Sequence, residues 1–145
     1  MSGTTEPKQI VITDEHLEYA ASVLHSLPFA KLIGMRLVDL RLDEAVLKIE
    51  MRDDLRQPSG VLHGGVTATL IDTAMAFAVR TRLAKDQATA TIDLTVHYLR
   101  PHVEGVATCT AKVVRAGKRI FTVTADVVND EGKLTATAVS TYTRV

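Results

Sequence analysis

Residues 57–79 read QPSGVLHGGVTATLIDTAMAFAV and hold a single acid, Asp72, in a run of otherwise apolar, small or uncharged side chains beyond His63. The spacing predicts a helix from about Gly64 to Leu83, and between Val66 and Val79 the only ionisable residue is Asp72. A helix that is apolar nearly all round is buried on most of its sides. The stretch therefore predicts one central helix enclosed by the rest of the chain. It also poses a question, because a carboxylate placed in apolar surroundings is costly unless it finds partners or shifts its pKa.

Working outward, MRLVDLRLDEAVLKIEM (35–51) alternates in two halves around Asp43-Glu44 and predicts two strands joined by a tight turn. RDDLRQPSGVLH (52–63) is a loop broken by Pro58 and Gly60. Towards the N-terminus, residues 1–13 read as an irregular arm. DEHLEYAASVLHSL then predicts a short helix with Asp14 as N-cap, ending before Pro28. Beyond the central helix, Arg80, Arg82 and Lys85 suit the negative end of its dipole. ATATIDLTVHYLRP (88–101) predicts one strand. The turns RAGKR and NDEGK divide the remainder into three β-branched runs that form an antiparallel meander. A hairpin, a buried helix and four more strands satisfy an α+β class, in which one antiparallel sheet wraps around one helix.

Length and composition limit the function. A chain of 145 residues is most simply one domain. Its zero formal net charge gives no global pull toward nucleic acid or an anionic membrane. No apolar run approaches the ~20 residues of a membrane span. The start lacks a basic and then apolar leader pattern, and the one cysteine, Cys109, cannot form an intrachain disulfide. The expectation is a cytoplasmic protein. His16, His25, His63, His97 and His102 form no metal-ligand pair with one another or with Cys109, so no metal is expected. Phosphate-loop, dinucleotide-binding and serine-hydrolase motifs are missing.

What remains is a constellation around the helix start. Gly64 and Gly65 open the helix, where free N–H groups and the positive dipole end favour a developing oxyanion. Without a side chain, Gly64 lets a carbonyl approach its amide. His63 is placed to orient that carbonyl, and Gln57 to hold water or a neighbouring side chain. Asp72 supplies a base or nucleophile. The set suits a thioester, whose thiol leaves as thiolate at a pKa near 8.5 without a strong general acid. Helix rise adds a constraint. Eight residues at ~1.5 Å each put Asp72 about 12 Å from Gly64 along the axis, and a short side chain recovers only a few ångströms of that. Two groups that far apart act on one carbonyl most easily when they come from two chains with antiparallel helices.

GVLHGGVTATLIDTAMAFA, followed by TIDLTVHYLRP and RAGKRIFTVTADV, resembles the hot-dog-fold acyl-CoA thioesterases of the phenylacetate-pathway (PaaI-like) and 4-hydroxybenzoyl-CoA type. The resemblance covers roughly residues 30–145, with residues 1–29 as an added arm and short helix. It implies hydrolysis of aryl- or medium-chain acyl-CoA, with no cofactor because coenzyme A belongs to the substrate. Asp72 takes the family's catalytic carboxylate, Gly64 the oxyanion N–H, His63 the motif histidine and Gln57 the upstream amide. Thr91 is the match for a hydroxyl on the next strand. Ala76 stands where the hydroxybenzoyl branch carries a hydroxyl, which favours the phenylacetyl-type arrangement. The resemblance also implies homodimers with shared sites, usually paired into tetramers.

Plainer readings stand beside these. Asp72 would then cap a strand or pair with an arginine, His63 would bond to backbone, and Gln57 would be solvated. Cys109 is core. Gly65 lies beside the substrate, and Arg100, Arg115, Lys118 and Arg119 are solvated strand-end charges, of which at least one is expected to meet a CoA phosphate. A non-catalytic acyl-CoA-binding or oligomeric protein of the same fold needs no ionised acid in the helix. A dehydratase of this fold would carry a histidine-phenylalanine-proline signature, which is absent.

Overall fold

The computed structural model describes residues 9–145, so the first eight residues of the expected arm lie outside the described part. Two short helices, α1 (Asp14–Ser26) and α2 (Pro28–Ile33), lead into β1 (Arg36–Arg41) and β2 (Glu44–Glu50). Helix α3 (Gly64–Arg80) follows, then β3 (Thr89–Tyr98), β4 (Val106–Ala116), β5 (Ile120–Val128) and β6 (Leu134–Arg144). The strands form one antiparallel sheet in the order β1-β2-β4-β5-β6-β3. Wrapped on the long α3, it is the one-sheet, one-helix arrangement that the pattern predicts and the hot-dog fold that the resemblance implies.

Period-two alternation builds the inner face of the sheet. Ala45, Leu47 and Ile49 of β2 face inward, as do Ala107, Cys109 and Ala111 of β4 and Phe121, Val123 and Ala125 of β5. They close on Leu70, Ile71, Ala74, Met75 and Ala78 of α3, all fully buried. Cys109 is core as expected, and burial pushes its thiol up to about 12. Asp43, at φ 66°, turns the β1–β2 hairpin and ties it to the end of α3: its carboxylate accepts two bonds from Arg82 at 2.7 and 2.6 Å. Arg82 is thus engaged in an ion pair just past the end of α3.

Several expectations need correction. Thr13, in extended backbone, is the N-cap of α1 in place of Asp14, and its N–H donates to His16 Nδ1 at 2.9 Å. Pro28 does not only end α1; it starts α2, because proline at the first helical position loses no hydrogen bond. Helix α3 stops at Arg80, three residues short of the predicted end. The meander of β4, β5 and β6 is as read, and β3, whose partner the pattern leaves open, pairs with β6 at the edge of the sheet. As expected, α3 is buried on most of its sides and not on all. Ala68, Thr69, Asp72, Thr73 and Ala76 form a half-buried stripe that the sheet does not cover.

Candidate active site

The loop before α3 is held in place by Arg56. Its guanidinium donates to the Gly60 and Val103 carbonyls at 2.6 and 2.7 Å and to Glu104 at 2.7 Å. Gly60, at φ 87°, makes the left-handed turn that this tether needs. His63 N–H donates to the Leu55 carbonyl, and Leu62 N–H to that of His102, both at 2.8 Å. The helix start is therefore fixed on both sides.

A first helical turn carries four N–H groups without intrahelical partners. Here the His63 imidazole caps one of them, accepting from Gly65 N–H at Nδ1 over 2.9 Å. Val66 and Thr67 N–H reach the His63 carbonyl at 2.9 and 3.3 Å. Gly64 N–H has no partner among the described residues, and Gly64 lines a cavity of about 490 Å³. Gln57, Gly65, Thr67, Tyr98 and Arg100 also line that cavity. Tyr98 donates to the Gly64 carbonyl at 2.6 Å, and burial raises its pKa, so it remains a donor.

Asp72 answers its question differently from a buried ion pair. It sits on the half-buried stripe, and two hydroxyls hold one of its oxygens. Thr91 donates to Oδ1 at 2.8 Å and Tyr142 at 2.5 Å, while Tyr142 also reaches the Asp72 carbonyl at 2.7 Å. Burial first, and the neighbouring Asp72 second, push Tyr142 well above the ordinary tyrosine range, so it stays protonated and donates. Oδ2 makes no hydrogen bond among the described residues. A carboxylate with one oxygen fixed and the other free is aimed for a water or a carbonyl.

The candidate residues thus fall into two groups. One joins Gly64, Gly65, Gln57 and Arg100; the other joins Asp72 and Thr91. Arg115, Lys118 and Arg119 belong to neither, since they cluster at the β4–β5 hairpin near the start of β3, where the Arg119 carbonyl accepts from Arg144 N–H. Arg100 also donates to the Leu134 carbonyl at 2.8 Å. Sequence reasoning missed Tyr142, Tyr98 and His102. His102 lines the Gly64 cavity, is nearly buried, and has neither ring nitrogen bonded among the described residues. The alternation of Ala136, Ala138, Ser140 and Tyr142 did signal an inward Tyr142, but its partner lies 70 residues away.

With this geometry in hand, likeness to known proteins decides the family. The thioesterase superfamily model matches residues 59–136. The chain belongs to the thioesterase superfamily. A protein of Saccharolobus solfataricus named as an esterase is 33% identical over 76% of this chain and 73% of its own. The medium/long-chain acyl-CoA thioesterase YigI of Escherichia coli is 28% identical over 82% of this chain and 86% of its own. The PaaI protein from the E. coli phenylacetic acid degradation operon superposes with a TM-score of 0.81 at 25% identity, covering 88% of this chain and 91% of that one. This thioesterase is therefore an enzyme that hydrolyses thioesters, and the matched residues include Gly64, Asp72 and Thr91. No helix among its described residues is long and apolar enough to cross a membrane.

Proposed function

We propose that this thioesterase hydrolyses acyl-CoA esters to the free acid and CoA, with Asp72 as base or nucleophile and Gly64 N–H as oxyanion donor. The observation that carries the reading is a helix-start amide without a partner among the described residues, together with a carboxylate that those residues fix at one oxygen only. Asp72 Oδ2 takes a proton from water as the water attacks the thioester carbon, or it attacks that carbon itself and water then hydrolyses the acyl-Asp72 anhydride to the free acid. The carbonyl oxygen gains charge against Gly64 N–H, the C–S bond breaks, and CoA leaves as thiolate. No cofactor is required. His63 contributes by capping, which consumes Gly65 N–H and leaves Gly64 as the free donor. Gln57 and Arg100 line the same cavity and meet the bound ester. Aryl or medium-chain acyl groups fit relatives named for medium/long-chain acyl-CoA and for 1,4-dihydroxy-2-naphthoyl-CoA. The single buried thiol fits a cytoplasmic enzyme.

Two chains complete each site in this reading. The ~12 Å along α3 between Gly64 and Asp72 separates them within one chain. Strand β3 carries a contact of each half-site, Thr91 with Asp72 near its start and Tyr98 with Gly64 at its end. It is an edge strand with most of its residues exposed. A second copy added antiparallel along β3 sets the Thr91 end of one chain against the Tyr98 end of the other. The same pairing brings Lys118 and Arg119 of one chain toward the Arg100 side of its partner, a basic rim for CoA phosphates. A homodimer is the smallest assembly that completes the site, and dimers paired into tetramers would keep it intact.

The test is a panel of phenylacetyl-, hydroxybenzoyl-, octanoyl- and palmitoyl-CoA with a thiol reagent. The native protein should release CoA from at least one ester and Asp72→Asn should not. Binding of every ester without release would make this chain an acyl-CoA-binding protein instead.

A further inference from the structure

A second cavity, of about 410 Å³, lies at the other end of α3 and shares no lining residue with the Gly64 cavity. Within one chain the two are about 24 Å apart along the helix, from 16 residues at ~1.5 Å. Its volume falls in the ~300–1,000 Å³ range of ligand sites. Its wall is apolar: Ile12, Ala20, Val23, Leu40, Phe77 and Leu83 line it from five parts of the chain. Tyr19, Ile10 and Val11 extend this surface outward and remain 54%, 40% and 65% exposed.

The mouth has one sign of charge. Arg80, Arg82 and Lys85 line the cavity, and no described acidic side chain does. Arg82 is committed to Asp43. Arg80 and Lys85 are exposed and enter no ion pair among the described residues. Lys85 instead places its ammonium 4.6 Å from the centre of the Tyr19 ring, at the border of the apolar wall. An apolar hollow bordered by two cations that have no acidic partner among the described residues calls for an anion with an apolar body. Among the described lining residues, besides the basic groups, only His16 and Thr81 bring conventional hydrogen-bonding groups, and Tyr19 one hydroxyl, too few to read a nucleotide or a sugar.

We propose that this cavity binds a medium-chain fatty acid anion, its alkyl tail among Val23, Leu40 and Phe77 and its carboxylate between Arg80 and Lys85. The site stands on the cavity and its charges. Only the further point that its occupant is the acid released by this enzyme rests on the function proposed above.

Decanoate titrated into the full-length protein by calorimetry tests this. Saturable binding is expected, weaker for decanol and undetectable for decyltrimethylammonium. Val23→Trp, which fills the hollow, should abolish it. Because that variant could misfold, the exposed pair Arg80→Gln/Lys85→Gln provides the second arm: affinity for decanoate should fall about tenfold with decanol unchanged. Asp72→Asn should bind decanoate as the native protein does, whether or not it hydrolyses acyl-CoA. Equal binding of all three amphiphiles, no saturable binding, or binding that survives a folded Val23→Trp overturns the proposal. So does binding that appears only once residues 1–8 are removed, which would assign the cavity to the chain's own N-terminal segment.

Discussion

The two faces of α3 are made of similar side chains and meet different surroundings. Leu70, Ile71, Ala74, Met75 and Ala78 face the sheet and are fully buried. Ala68, Asp72, Thr73 and Ala76, interleaved with them, stay half-buried on a stripe that the chain's own strands leave open. On the first face a side chain is worth what its burial contributes. On the second, Asp72 is held by hydroxyls from β3 and β6 with one oxygen to spare. The contrast separates stability from chemistry along one helix, and substitutions on each face should respond in different measurements.

The largest effect is expected at Asp72. Asp72→Asn keeps an oxygen that accepts from Thr91 and Tyr142, so the thermal midpoint should move little. Turnover should fall by about 10²–10⁴-fold, the scale of a lost positioned base. Met75→Ala is the mirror experiment. It should destabilise the protein by about 2–5 kcal/mol, the range for truncating a buried methionine, while kcat of the folded fraction stays near native. An Asp72→Asn protein that hydrolyses its best ester at the native rate would remove the chemistry from this stripe.

The same contrast explains what the sequence made legible. Hydropathy and period place the strands and the helix because a core residue must be apolar whichever neighbour buries it. The histidine-glycine-glycine turn with Asp72 nine residues on marked the site, since a lone acid in such a run stands out. Hydropathy does not say which face of α3 the sheet covers, because small apolar residues suit a sheet or a second chain equally well. Tyr142 and Tyr98 were missed for a related reason. Their hydroxyls bond across 70 and 34 residues, and the partner of a buried tyrosine is set by strand order, which local pattern does not encode. The pairing of β3 with β6 is the same kind of information.

Tyr142 offers a smaller, sharper test of the open face. Tyr142→Phe keeps the ring in the core and removes both bonds to Asp72. A hydrogen bond to a charged group contributes about 1.5–3 kcal/mol, so kcat/KM should drop roughly 10- to 100-fold, with KM carrying little of the change. Thr91→Ala should show a lesser loss, since Tyr142 then still holds Oδ1. If Tyr142→Phe were fully active and Thr91→Ala dead, Thr91 alone would be orienting the carboxylate.

The last prediction asks whether the open face is completed by a second chain, and its expected signal is a return from near zero to about a quarter of native activity. Asp72→Asn and Gly64→Val homodimers should each be nearly inactive. A Cβ at Gly64 would sit 3.3 Å from the Tyr98 ring and hydroxyl, the far end of a side chain that can shift, so Gly64→Val should fold, which circular dichroism checks. When the two variants are refolded together, half of the dimers are mixed. In each of these, one site inherits both lesions and the other neither. With independent sites, activity should return to about a quarter of native, as two-fold symmetry requires. Were Gly64 and Asp72 of one chain to serve the same carbonyl, every site in a mixed dimer would carry one lesion and no activity would return. Mixed dimers verified by mass and still inactive would mean that α3 completes its site alone, against the ~12 Å that its own helical rise puts between the two groups.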